Sequence, residues 1–197
     1  MHLKLKWIDP FDGSEMKKQN SQFVSKNNNY KIIKGIPRFV NKKNYNESFG
    51  FQWNQYKKTQ LDSYTGFPLS ERRLERCMGK KLCDSISNKL ILEAGCGAGR
   101  FTEILLKWGA YVVSMDMSSA VEANKDNSPP NDRHLIVQAD ILQIPFAEQQ
   151  FDIVICLGVI QHTPCPEDTI RALYRQVRSG GWLVLDHYIY SVSYFTQ

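Results

Sequence analysis

The 197-residue sequence is poor in cysteine and pairs none of it closely. Its five cysteines, at positions 77, 83, 96, 156 and 165, are odd in number and form no C-x-x-C. That excludes a disulfide framework and a zinc knuckle, so no metal is expected. Long apolar runs are missing too. None approaches the roughly 20 residues that span a bilayer, and the first six residues lack the apolar core of a signal peptide. A cytoplasmic chain without a membrane span is the expectation. Acid is scarce in the first half: residues 1–90 carry 18 Lys/Arg against 8 Asp/Glu, and residues 91–197 carry 7 against 12. The lysines are scattered or in short pairs, with no basic helix interleaved with aromatics. A nucleic-acid partner is therefore compatible with the charge but not favoured.

What is present is one organising stretch, Leu90-Ile91-Leu92-Glu93-Ala94-Gly95-Cys96-Gly97-Ala98-Gly99-Arg100. Leu90 to Ala94 reads as a buried strand. Gly95, Gly97 and Gly99 make a tight loop, and Phe101, Ile104, Leu105 and Trp108 repeat at helical spacing. Strand, glycine loop and helix open a nucleotide-binding α/β domain, whose helix N-terminus favours an anionic group. The dinucleotide fingerprint G-x-G-x-x-G/A fails, because its third small position is Arg100. Downstream, Tyr111–Asp116 reads as strand two. Asp116 at its tip is placed either to accept from ribose hydroxyls or to cap the following helix. His134 to Ala139 reads as strand three, where Asp140 faces an adenine amino group or caps a turn, and Ile141 offers an apolar face. Phe151 to Gly158 is strand four, with Asp152 structural at its far end. Trp182–Asp186 is strand five, after a helix with an apolar face of Ile170, Leu173, Tyr174 and Val177 that Gly180-Gly181 stops. Ser70 reads as the N-cap of a helix reaching about Ser87.

The run E-x-G-x-G-x-G, from Glu93 to Gly99, resembles the first motif of the class I S-adenosylmethionine (SAM) methyltransferases. The run F-D-I-V-x-x-x-G-V-I-Q-H-T-P, from Phe151 to Pro164, resembles the fourth motif of the small-molecule members. The resemblance covers about residues 88–190. It implies an α/β, Rossmann-like parallel sheet of order 3-2-1-4-5 with helices on both faces. It also implies SAM as methyl donor and S-adenosylhomocysteine (SAH) as product. Glu93, Gly95, Cys96, Gly97 and Gly99 would cradle the methionine part, Asp116 and Met117 the ribose side, and Asp140 and Ile141 the adenine. Leu157, Gly158 and His162 would line the path to the acceptor. His162 is a candidate general base, or a histidine that anchors its loop.

Three expectations concern organisation. Residues 1–40 form a small β-rich module, with strand candidates at Phe23-Val24, Tyr30–Ile33 and Ile36–Val40. Its end, Tyr30-x-x-x-x-Gly35-Ile36-Pro37-Arg38-Phe39, resembles the end of a zinc-ribbon-like segment, here cysteine-free, so a small core must replace the metal. Residues 41–70 are an aromatic linker or lid (Tyr45, Phe49, Phe51, Trp53, Tyr56, Tyr64, Phe67). Such rings either close over the cofactor, where one could attract a sulfonium, or merely pack the module onto the core. Residues 71–197 are the SAM-binding core, truncated after strand five. That leaves an edge near Trp182, Tyr188, Tyr190, Tyr194 and Phe195 for a second copy or a missing C-terminal segment. The expected function is methyl transfer to a small-molecule acceptor, a metabolite or lipid precursor. The alternatives are a non-catalytic SAM-binding module and an RNA methyltransferase.

Overall fold

Short strands joined by tight turns begin the chain. The computed structural model describes residues 3–40 and 47–187, with backbone alone at 47–49. Tyr45, Tyr188, Tyr190, Tyr194 and Phe195, and the side chain of Phe49, lie outside the described residues. Strands β1 (Lys17–Gln19), β2 (Gln22–Val24), β3 (Asn29–Ile33) and β4 (Ile36–Pro37) form an antiparallel sheet in that order. The last is shorter than the Ile36–Val40 candidate, because Phe39 leaves it. The Phe39 N–H donates to Gln138 O (2.8 Å), in the strand at the edge of the second sheet. The loops around this small sheet converge on Asp9, which is 1% exposed. Its carboxylate accepts from Phe11 N (2.9 Å), Ser25 Oγ (2.5 Å), Asn28 Nδ2 (3.0 Å) and Tyr30 Oη (2.8 Å). Burial alone would raise this carboxyl, but those bonds pull it down to about 2. One hydrogen-bonded acid thus ties these loops together. No cluster of three or more His, Cys, Asp and Glu side chains able to hold a metal occurs among the described residues.

Helices α1 (Glu47–Gln55), α2 (Asp62–Thr65), α3 (Leu69–Met78) and α4 (Lys80–Asp84) follow. Ser70 is not the N-cap of α3 but lies inside its first turn. The cap comes from Asp62, whose two carboxylate oxygens accept from Ser70 N (2.9 Å) and Glu71 N (2.8 Å). Gly79, at φ +76°, separates α3 from α4, and Leu74, Met78, Leu82 and Ile86 are buried against the main sheet.

That sheet is built from β5 (Leu90–Ala94), β6 (Tyr111–Asp116), β7 (His134–Gln138), β8 (Phe151–Cys156) and β9 (Val177–Leu185). All four pairings are parallel and the order is β7-β6-β5-β8-β9, which counted within this sheet is 3-2-1-4-5. Such strands are covered on both faces and need apolar residues on both: Ile91, Leu92, Val112, Val113, Ile153 and Val154 are all at most 1% exposed. Helices α5 (Thr102–Lys107), α6 (Ala120–Asn127) and α7 (Pro166–Gln176) complete the layers. In α7 the buried stripe is Thr169, Leu173 and Gln176, while Ile170 and Tyr174 are exposed. Val177 already belongs to β9, and Gly180-Gly181 sit in an irregularity of that strand rather than at a helix end. Asp152 accepts from Leu90 N (2.7 Å) and pairs with Arg178, a structural role at the far end of the sheet. No helix among the described residues is long and apolar enough to cross a membrane.

Candidate functional site

Parallel strands place every carboxyl end on one side of the sheet, and the loops there surround a cavity. The glycine loop after β5 forms its floor. Gly95, Gly97 and Gly99 all take positive φ (81°, 51° and 93°), so the loop needs residues without a Cβ penalty. Gly95, Cys96 and Gly97 line the cavity, and at Gly95 a Cβ would strike Val159 Cγ2 at 2.3 Å. Asp116 and Met117, at the tip of β6, form the next part of the wall. The Asp116 carboxylate accepts from Gly97 N (2.9 Å) through one oxygen, and from Ser118 N (2.8 Å) and Ser118 Oγ (2.7 Å) through the other. It is thereby oriented before any ligand arrives. Asp140 and Ile141 follow β7 and also line the cavity. Asp140 caps the short turn Ile141–Gln143, accepting from Leu142 N (2.9 Å). Leu157, Gly158 and His162 close the side beyond β8, His162 in the turn Ile160–His162.

Two expected site residues are elsewhere. Glu93 does not line the cavity. It is 2% exposed beneath the loop, where Oε2 accepts from Thr102 Oγ1 (2.5 Å) and Ser114 Oγ (3.3 Å), and Oε1 is buried without a partner. Burial raises its carboxyl to about 7, against the lowering effect of the Thr102 and Ser114 bonds. Gly99 is also off the cavity wall, and a Cβ there would lie 3.1 Å from the buried Asn124 amide. So the loop region contributes in two layers: Gly95, Cys96 and Gly97 face the cavity, while Glu93 and Gly99 support them.

Lys57, Arg73, Arg100 and Trp53 also line the cavity, with charge or aromatic surface that the motifs do not mark. Arg73, from α3, pairs with Asp186 (2.5 Å), whose other oxygen accepts from Gly158 N (2.5 Å). Arg100 donates to Ser70 Oγ (3.2 Å) and Gln60 Oε1 (3.3 Å), with its guanidinium 4.7 Å from the centre of the Phe101 ring. Burial, then the nearby Arg73 cation, lowers the Arg100 pKa. Trp53, from α1, lies over Gly97. Arg100 was visible in sequence as the residue that breaks the dinucleotide fingerprint. Arg73 and Trp53 come from helices ahead of the first core strand, and only the aromatic density around residue 53 hinted at the latter.

Comparison with known proteins agrees with this fold. Residues 92–185 match the family described as a methyltransferase domain. A ubiquinone biosynthesis O-methyltransferase of Hydrogenovibrio crunogenus is 35% identical over 108 residues, covering 52% of this chain and 44% of that protein. A second such enzyme, from Pseudomonas entomophila, is 35% identical over 101 residues. The chain thus spans less than half the length of these curated relatives. Among solved structures, a SAM-dependent methyltransferase provisionally assigned in Methanococcus maripaludis superposes with a TM-score of 0.57 at 23% identity, over 74% of this chain and 65% of that one. A TehB-like SAM-dependent methyltransferase of Corynebacterium glutamicum gives 0.53 at 22% identity, over 70% and 72%. At those identities the structural likeness concerns the fold.

Proposed function

We propose, from a chain whose residues 92–185 match a methyltransferase domain, that it transfers a methyl group from SAM to a small-molecule acceptor. The observation that carries this reading is the Asp116 carboxylate, bonded to Gly97 N (2.9 Å) and facing the cavity that also holds Met117, Asp140 and Ile141. A pre-oriented acid at this strand tip suits a ribose diol. Asp140 and Ile141 suit the edge and face of adenine, and Arg73 and Arg100 supply cations for the methionine carboxylate. SAM supplies a methyl activated by its sulfonium: the acceptor's lone pair forms the new bond to carbon, and the electrons of the broken C–S bond stay on sulfur, giving SAH. The chain's own work is to hold donor and acceptor in line and to exclude water. His162 lines the cavity beside Leu157 and Gly158, and is the candidate to take the proton of a hydroxyl acceptor. The name of the curated relatives favours an oxygen acceptor of the ubiquinone-precursor kind.

Calorimetric titration with SAH tests the reading. One site is expected, weakened at least tenfold by Asp116→Ala; absence of heat at high ligand concentration rejects it. Release of SAH from SAM in the presence of a hydroxylated aromatic acceptor separates the enzyme from a non-catalytic SAM-binding module. The RNA methyltransferase reading requires salt-sensitive RNA retention on a filter.

A further inference from the structure

The carboxylates on the cavity wall are Asp116 and Asp140, whereas Lys57, Arg73 and Arg100 are cations on the same wall. Glu93, the acid closest in sequence to the glycine loop, is withdrawn beneath it. A positively charged sulfur at the loop therefore meets no carboxylate of the loop itself, and the one beside it is that of Asp116, which accepts from Gly97 N (2.9 Å). It also meets an aromatic ring. Nε1, Cε2 and Cδ1 of Trp53 lie 3.6, 3.8 and 3.9 Å from the point where a Cβ on Gly97 would be. The indole thus packs against the bare Gly97 backbone, with room there for no more than a Cβ, and lines the cavity beside it.

The ring is held there by more than its own packing. Gly50 lets α1 approach α6 so closely that a Cβ would come within 2.3 Å of Ser119 Oγ. Asn54 Nδ2 donates to Gly50 O (2.8 Å) and to Ser119 O (2.9 Å). Asn127 Nδ2 donates both to Lys57 O (2.8 Å), just after α1, and to Ala98 O (2.9 Å), in the glycine loop. One amide therefore fixes the segment carrying Trp53 relative to the loop it covers.

We propose that Trp53 makes the site selective for the charged donor over its neutral product. The inference rests on the reading of this cavity as a SAM site. Sulfur joins the ribose to the methionine chain. With the ribose at Asp116 and the chain along Gly95 to Gly97, the sulfur comes into the part of the cavity that Gly97 and the indole both line. A sulfonium is attracted by the π face of tryptophan, while a thioether has no charge to offer it. Cation–π contact at a desolvated site corresponds to about 2- to 30-fold in affinity. Transfer of the methyl removes the charge and with it this contact, so the ring favours the donor over the product by that amount.

The test is the ratio of SAM to SAH affinity, measured by calorimetry at one pH and salt concentration for wild type, Trp53→Phe and Trp53→Leu. A general loss of packing cancels in that ratio. The expected result is a SAM affinity lowered about 5- to 20-fold in Trp53→Leu, an SAH affinity changed by less than about twofold, and an intermediate ratio in Trp53→Phe. Equal losses for both ligands in Trp53→Leu overturn the proposal and leave the site reading standing. If the leucine variant binds neither ligand, Trp53→Phe decides. A ratio lowered about two- to threefold supports an electrostatic role for the ring, and an unchanged ratio reduces it to a wall. Failure of the wild type to bind either ligand overturns the proposal and the site reading together.

Discussion

Glu93 and His134 are both buried, and Ser114 connects them: its hydroxyl donates to Glu93 Oε2 (3.3 Å) and lies 3.0 Å from His134 Nε2. Their titrations oppose each other. Burial raises Glu93 from 4.5 to about 7, so between those values the folded chain keeps a proton that the unfolded chain releases, and stability falls as pH rises. Burial lowers His134 from 6.5 to about 4, so the unfolded chain takes up a proton that the folded one refuses, and stability falls as pH drops through that range. In the wild type the two slopes largely cancel between about pH 4.5 and 6.5. Glu93→Gln is expected to unmask acid sensitivity and His134→Gln to unmask sensitivity toward neutral pH, each by at most about 3 kcal/mol across the window. Urea midpoints at half-unit pH steps measure both; parallel profiles for wild type and the two variants would falsify the coupling. At this scale the sequence revealed where the acids lie along the chain but not which way they face. Strand alternation turns Glu93 toward Thr102 and away from the cavity, and nothing in its motif distinguishes a supporting acid from a contacting one.

At the scale of elements, α1 is the cover whose fit decides how well the glycine loop is enclosed. Gly50→Val puts a branched side chain where Ser119 Oγ and Ser119 N already stand, 2.3 and 2.9 Å from a Cβ. The expected outcome is at least a tenfold loss of SAH affinity with the cooperativity of unfolding retained, read by titration and by urea melts side by side. Wild-type affinity in that variant would show that α1 takes no part in binding. The core strands were legible because parallel strands covered on both faces must be apolar throughout. The cap of α3 was not, because its acceptor, Asp62, lies eight residues before Ser70 across a loop. The buried face of α7 was misread for a similar reason. Ile170, Leu173 and Tyr174 have helical spacing, yet the sheet covers the stripe that runs through Thr169, whose hydroxyl is satisfied by Cys165 O (2.9 Å).

For the molecule as a whole, the N-terminal sheet and the parallel sheet share one core. Phe39 is 1% exposed among Trp7, Phe23 and Tyr30, and Trp7 in turn meets Phe146, which meets Phe151 of β8. Arg38 adds bonds to Gln138 (3.0 Å) and to Glu122 across the same boundary. Phe39→Ala is therefore expected to cost about 3–5 kcal/mol and to lower a single unfolding transition rather than to split it, as tryptophan fluorescence and far-UV dichroism recorded together will show. The continuity of this core was not legible in the composition of residues 1–40, which reads as a separate module. The contacts of Phe39 and Arg38 with β7, and of Trp7 with Phe146, reveal it.

That junction also has a consequence for self-association. Arg38 bridges Gln138 in parallel fashion and Phe39 donates to it, so the outer rim of β7 is already occupied. Among the described residues the opposite rim, β9 with Trp182 59% exposed, has no such cover. Growth into a fibre requires two sticky rims per molecule, one to receive and one to extend. With the β7 rim blunted, any strand addition between copies would have to run through β9 and would stop at a pair.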